Sequence, residues 1–315
     1  MNRKALIVGL KGTKLSFEES LFLKHQKPWG VILFSRNIKD LNQLKKLINN
    51  IKYIFNDRKY PILIDQEGGR VSRLDKIIDL SLFSQGFFGS LYKKDKNYFK
   101  TSFRIYVDLV CDIMNQVGIN INTVPVLDVL RKKSHKIVGD RSFSSNPDIV
   151  SKIGKISVKL FNERKIGTVT KHIPGHGLAK LDSHNKLQSI NTKRKKLKSC
   201  DFKPFKECKS FFSMTAHIIY KAYDPHFTAT HSKKVITNVI RKKIGFKGIL
   251  ISDDISMKSL EYGLKKNALM ALDAGCNLVL HCNGNINEML ELSKVIPRID
   301  IFTQEKTSQF YKFLG

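Results

Sequence analysis

Short apolar, largely β-branched runs recur along the chain at 5–10, 30–34, 61–64, 119–124, 167–171, 212–216, 248–251 and 277–280. None alternates cleanly between apolar and polar, which is the pattern of parallel strands covered on both faces. Between them lie segments with helical spacing, such as Leu41, Leu44, Leu47, Ile48 and Ile51, or Phe103, Val107, Val110, Ile113, Met114 and Val117. Ser16 with Glu19 three residues on, and Asn146 before Pro147, read as helix starts. Gly118 and Gly275 read as helix ends ahead of a strand. Eight strand-helix units predict an α/β protein, either a closed (β/α)8 TIM-type barrel or a doubly wound open sheet. The polar residues favour the barrel. They gather just after strand ends, at Asp65-Gln66-Glu67, 125–128, Lys171-His172, His217 and Asp253-Asp254, and a barrel brings all those ends to one rim. No Pro-, Gly- or Ser-rich linker divides the chain, so 1–315 is expected to be one domain.

Composition changes this picture in one respect. A hydrophobic fraction of 42% excludes a disordered chain, but 56 Lys+Arg against 27 Asp+Glu give a net charge of +29. That excess raises a second class of reading, a binder of nucleic acid or of an anionic surface. The lysines are spread throughout and outnumber arginine, whereas specific phosphate recognition favours arginine. The apolar run 5–10 breaks at Lys11 with no small-residue cleavage site after it, and no stretch approaches a membrane span, so a cytoplasmic protein without membrane attachment is expected. The five cysteines are odd in number and lack C-x-x-C spacing, which argues against a disulfide framework or a thiolate zinc site.

Three segments carry candidate chemistry. The first is Lys171-His172-Ile173-Pro174-Gly175-His176-Gly177, followed by Asp182-Ser183-His184. In an extended loop Asp182 and His184 lie on the same side, where a carboxylate orients an imidazole for proton transfer near neutral pH. The histidines His172, His176 and His184 also leave open a metal-dependent hydrolase, although they lack the i, i+4 register of H-E-x-x-H. The second segment ends a strand with Asp253-Asp254, of which one is expected to face the site as nucleophile or ligand. Asp254 is expected to be structural, capping the next helix or taking a basic partner. In the third, Asp65-Gln66-Glu67-Gly68-Gly69-Arg70-Val71-Ser72-Arg73, the paired glycines permit a tight turn that returns an arginine to the strand-end acid. Gly139-Asp140-Arg141-Ser142-Phe143 has the same character.

Together with Leu33-Phe34-Ser35-Arg36-Asn37, Asn122 to Val129, Met214 to His217 and Gly245 to Met257, these segments resemble in order the bacterial β-N-acetylglucosaminidases of glycoside hydrolase family 3. Leu178 departs from the family pattern, where an acidic or small residue is common. The resemblance implies a single-barrel retaining enzyme with Asp253 as nucleophile, His184 as general acid/base and Asp182 as its partner. It implies that Asp65, Arg73, Arg141, Lys171 and His172 hold N-acetylglucosamine. It implies a small carbohydrate substrate, N-acetylglucosamine-anhydro-N-acetylmuramic acid with or without peptide, used in peptidoglycan recycling. No cofactor, no metal, no nucleic-acid or membrane partner, and a monomer are expected.

Overall fold

The structure is a computed structural model that describes residues 2–131, 138–178 and 187–315. Its strands are β1 (Lys4–Gly9), β2 (Pro28–Leu33), β3 (Ile62–Ile64), β4 (Ile121–Asn122), β5 (Gly167–Ile173), β6 (Gln188–Ile190), β7 (Phe212–Thr215), β8 (Ile218–Tyr220), β9 (Ile249–Asp254) and β10 (Leu278–His281). A closed parallel barrel runs β1-β2-β3-β4-β5-β7-β9-β10 and back to β1, while β6 and β8 pair as a ribbon of their own. Register is fixed by pairs such as Val31 opposite Ile62, Leu63 opposite Ile121 and Phe212 opposite Ile249. Each apolar run of the sequence overlaps one barrel strand and the barrel is closed, so the (β/α)8 reading holds and the open sheet does not.

The intervening helices form where their ends are satisfied. Ser16 and Glu19 make a reciprocal capping box, and Asn146 accepts from the Asp148 amide with Pro147 in the first turn. The helix Leu41–Phe55 buries Leu44, Leu47, Ile48 and Ile51 on one face. Gly118 and Gly275 end their helices with φ of 92° and 114°. Among the described residues no helix is long and apolar enough to cross a membrane.

Several strands differ from their expected extents: β2 starts at Pro28, β9 runs on to Asp254, and β4 and β5 change beside the rim. Strand β4 is only Ile121–Asn122, and Pro125, which has no amide hydrogen to donate, cannot carry its ladder further. Strand β5 runs two residues past its expected end at Lys171, through His172 to Ile173, and stops at Pro174. The loop after β4 supplies the missing partner: the Lys171 amide donates to the Pro125 carbonyl (3.2 Å) and the Leu127 amide to the Lys171 carbonyl (2.7 Å).

The end of the barrel opposite these loops is sealed by the helix Ile301–Leu314. Phe310, fully buried, packs edge-on against Phe212 with ring centroids 5.0 Å apart, and Trp29 meets Phe212 edge-on at 5.6 Å. A side chain at Gly167 would collide with Phe310, whose ring lies 2.6 Å from the position of a Cβ there. The Trp29 indole N–H donates to Thr307 Oγ1 (2.9 Å), and Arg3 joins Asp57 and Tyr311 at the margin. These residues open β2, β5 and β7 or precede β1, so they brace the strand starts. We therefore expect Phe310→Ala to lower unfolding free energy in urea by about 3–5 kcal/mol, the usual cost of deleting a buried phenyl ring, with KM unchanged.

Candidate active site

At the other rim, the first group to fold inward is Lys171. Its side chain is 3% exposed, yet it carries an ammonium that burial alone would neutralise. Two carboxylates oppose that: Lys171 Nζ donates to Asp65 Oδ1, and lies 2.6 Å from Glu67 Oε1. Burial lowers its pKa, but Asp65 and Glu67 outweigh this and hold it above the ordinary lysine value. Each carboxylate has a further cation. Arg73 Nη2 donates to Asp65 Oδ2 (2.9 Å), while Arg141 grips Glu67 with Nε (2.7 Å) and Nη2 (2.8 Å) in a two-point clasp. Thr123 Oγ1 also donates to Asp65 (2.5 Å). Burial raises both carboxyls, yet Lys171 with Arg73 hold Asp65, and Arg141 with Lys171 hold Glu67, below the ordinary carboxylate range.

The turn that makes this chain possible is the one read from the paired glycines. Gly68 and Gly69 have φ of 87° and 58°, the Val71 amide donates back to the Gly68 carbonyl (3.3 Å), and the backbone returns so that Arg73 meets Asp65. Gln66, buried, holds the return with its Oε1 accepting from the amides of Arg73 (2.7 Å) and Leu74 (3.1 Å).

A second array stands beside it. Asp128 Oδ2 is 2.7 Å from His172 Nδ1, and its Oδ1 accepts from the backbone amides of His172 (3.2 Å) and His176 (2.6 Å). Burial raises this carboxyl, but His172 and His176 bring it down to about 2. His172 Nε2 lies 4.0 Å from Asp253 Oδ2, at the end of β9. His176 packs against His172 with ring centroids 5.4 Å apart, and burial with the neighbouring imidazole lowers its pKa to about 4.

Asp253 and Asp254 diverge as expected: Asp253 lines the cavity. Asp254 accepts from the Ser256 amide (3.1 Å) and hydroxyl (2.8 Å) and from the Cys282 amide (3.3 Å). It thus fastens a turn and the end of β10, and caps no helix. His217, buried, donates from Nε2 to the Asp254 carbonyl (3.0 Å) and accepts at Nδ1 from Thr230 (2.7 Å), and burial lowers its pKa. It anchors the peptide that follows Asp253.

Of the residues singled out from the sequence, Asp65, Arg141, Lys171, His172 and Asp253 line one cavity at the barrel rim. Arg73 joins them through Asp65, and its guanidinium lies over the ring of Phe34, another cavity residue. Asp182 and His184 lie outside the described residues. Glu67, Thr123 and Asp128 are additions. Glu67 and Asp128 stood within the motifs at 65–73 and 122–129, but the side chains they pair with are 74 and 44 residues away at the nearest. Among the described residues no group of three or more His, Cys, Asp or Glu is disposed to hold a metal ion.

A cavity ringed by the carboxylates of Asp65, Asp128 and Asp253, one arginine, a lysine and two imidazoles at the C-terminal rim of a (β/α)8 barrel is the arrangement of a glycoside hydrolase. Residues 5–309 match the glycosyl hydrolase family 3 N terminal domain, and the chain belongs to that family, among its bacterial β-hexosaminidases. It is 36% identical over 285 residues to a protein named beta-hexosaminidase from Alkalilimnicola ehrlichii, covering 88% of this chain and 80% of that one. It is 32% identical over 293 residues to another of the same name from Shewanella frigidimarina, covering 89% and 82%. The crystal structure of NagZ from Neisseria gonorrhoeae in complex with N-trifluoroacetyl-D-glucosamine superposes with a TM-score of 0.87 at 27% identity, over 100% of this chain and 91% of that one.

Two outcomes follow from the electrostatics. Removing Glu67 leaves Arg141 and Lys171 short of a buried counter-charge, so Glu67→Ala should cost about 3–5 kcal/mol in urea unfolding, with Glu67→Gln milder. His176 and, away from the cavity, His231 are held neutral down to about 4, in each case first by burial. The unfolded chain takes up those protons near the ordinary value of about 6.5, so stability should fall as pH drops from about 6.5 toward 4. Urea midpoints at pH 7 and 5 measure this, and His231→Gln should flatten the slope.

Proposed function

We propose that the protein is a retaining β-N-acetylglucosaminidase in which Asp253 attacks the anomeric carbon and His184, oriented by Asp182, exchanges the proton. The observation that carries this reading is the state of the other carboxylates at or beside the cavity. Asp65, Glu67 and Asp128 are each claimed by a cation or an imidazole and held ionised, so none is a proton donor near neutral pH. The usual pair of carboxyls, one nucleophile and one acid, is therefore not available to the reaction from those three. An imidazole has an ordinary pKa suited to the acid role without any burial. In the first step Asp253 forms the C1–O bond as the glycosidic C1–O bond breaks and His184 protonates the leaving oxygen. In the second, His184 takes a proton from water, the water oxygen bonds to C1, and Asp253 leaves.

In this reading Asp65, Arg73, Arg141, Lys171 and His172 hold the N-acetylglucosamine unit, the chain 1–315 is one catalytic barrel, and it acts as a cytoplasmic monomer. The substrate is β-1,4-linked N-acetylglucosamine on anhydro-muropeptides, released in peptidoglycan recycling. The beta-hexosaminidase names of the bacterial relatives and the N-trifluoroacetyl-D-glucosamine in the Neisseria structure support the sugar.

The test is hydrolysis of an aryl β-N-acetylglucosaminide beside its glucoside, each with and without phosphate and chelator. N-Acetylglucosamine should be released with preference over glucose, and chelator should have no effect. Asp253→Ala should lose at least about a thousandfold in kcat, and substantial residual turnover would overturn the assignment. His184→Ala should lose least on substrates with good leaving groups.

A further inference from the structure

Asp128 belongs to none of the roles above, yet the hydrogen bonds of its carboxylate converge on His172 and on the His176 amide of the loop after β5. Its side chain is 2% exposed. Oδ1 accepts two backbone amides, from His172 and His176, which fixes the plane of the carboxylate relative to β5. Oδ2 then meets His172 Nδ1 at 2.7 Å. An ionised carboxylate only accepts, so the proton sits on Nδ1. In the neutral ring Nε2 is then a lone pair, and it points toward Asp253 Oδ2 at 4.0 Å, too far for a direct hydrogen bond.

We infer that Asp128 is a positioning residue for the reaction: it fixes His172 in the Nδ1–H tautomer, so that the nitrogen facing Asp253 withholds a proton from the carboxylate. A donor in that place would bond to the carboxylate as the two approach and weaken it as an attacking group. Among the described residues the charged and titratable groups around this imidazole are Asp128 on the loop after β4, Arg141 beyond it, His176 on the loop after β5, His217 after β7 and Asp253 on β9. The inference rests on Asp253 being the nucleophile, which the Asp253→Ala assay tests separately.

Asp128→Asn makes the idea falsifiable because it keeps the shape and reverses the proton. The oxygen of the introduced carboxamide is retained by the two backbone amides, so its NH2 faces Nδ1. Nδ1 must then accept, and the ring proton moves to Nε2, against Asp253. We expect kcat to fall by about 100-fold with KM within about threefold, as for loss of a preorganised polar group acting in the transition state. The acidic limb of kcat/KM should move to lower pH, since Asp253 gains a donor and loses a neighbouring negative charge. In the His172→Gln background Asp128→Asn should add little, because its effect passes through the ring. Nitrogen-15 NMR of the imidazole reads the tautomer directly: protonated Nδ1 in the resting wild-type protein, protonated Nε2 in Asp128→Asn. A wild-type ring protonated at Nε2 alone overturns the inference even if the variant fails to fold. So does an unmoved pH profile, or a full additional loss in the His172→Gln background.

Discussion

The active-site rim depends on one buried ammonium. Lys171 is charged in a place that should discharge it, and it stays charged because Asp65 and Glu67 close on it from either side. Those carboxylates are themselves tolerable only because Arg73 and Arg141 meet them from outside. The result is a line of alternating charge, Arg73–Asp65–Lys171–Glu67–Arg141, drawn from three parts of the chain. Asp65 is 106 residues from Lys171 and Glu67 is 74 from Arg141, so the line also ties the loops after β3 and β4 to the body of β5. Geometry and electrostatics are one constraint here: moving any member leaves a neighbour's charge in low dielectric.

The fold was largely legible because barrel strands announce themselves. A run buried on both faces has no reason to alternate, and all eight did not. Helix ends were legible for the same local reason, since a capping serine or an αL glycine acts within three or four residues. The extent of β5 was not. Its continuation past Lys171 to Ile173 goes with hydrogen bonds between Lys171 and Pro125 and Leu127 and with pairing of Ile173 to Thr215, partners over 40 residues away that leave no local mark.

The site divides along the same line. Asp65, Arg141, Lys171, His172 and Asp253 stood out as polar residues at strand ends, and they meet in one cavity. Glu67 and Asp128 sat in the same motifs but lacked a visible role, since their importance lies in bonds to Arg141, Lys171 and His172 that only the closed barrel creates. The division of Asp253 from Asp254 was foreseen, but not that Asp254 would fasten β10 through the Cys282 amide. The +29 charge, prominent at first reading, plays no part in this: Asp65 and Glu67 are matched locally by Lys171, Arg73 and Arg141, whatever the surface carries.

The aromatic seal at the strand starts has a consequence for how this protein can change. Phe310, Phe212 and Trp29 hold one end by apolar contact, while the other is held by paired charges. Salt and acid weaken the second without weakening the first, and cold does the reverse. A lineage or a laboratory selection seeking heat tolerance can therefore thicken the aromatic end by repacking alone, leaving the chemistry at the far rim to drift, specialise or be conserved on its own account.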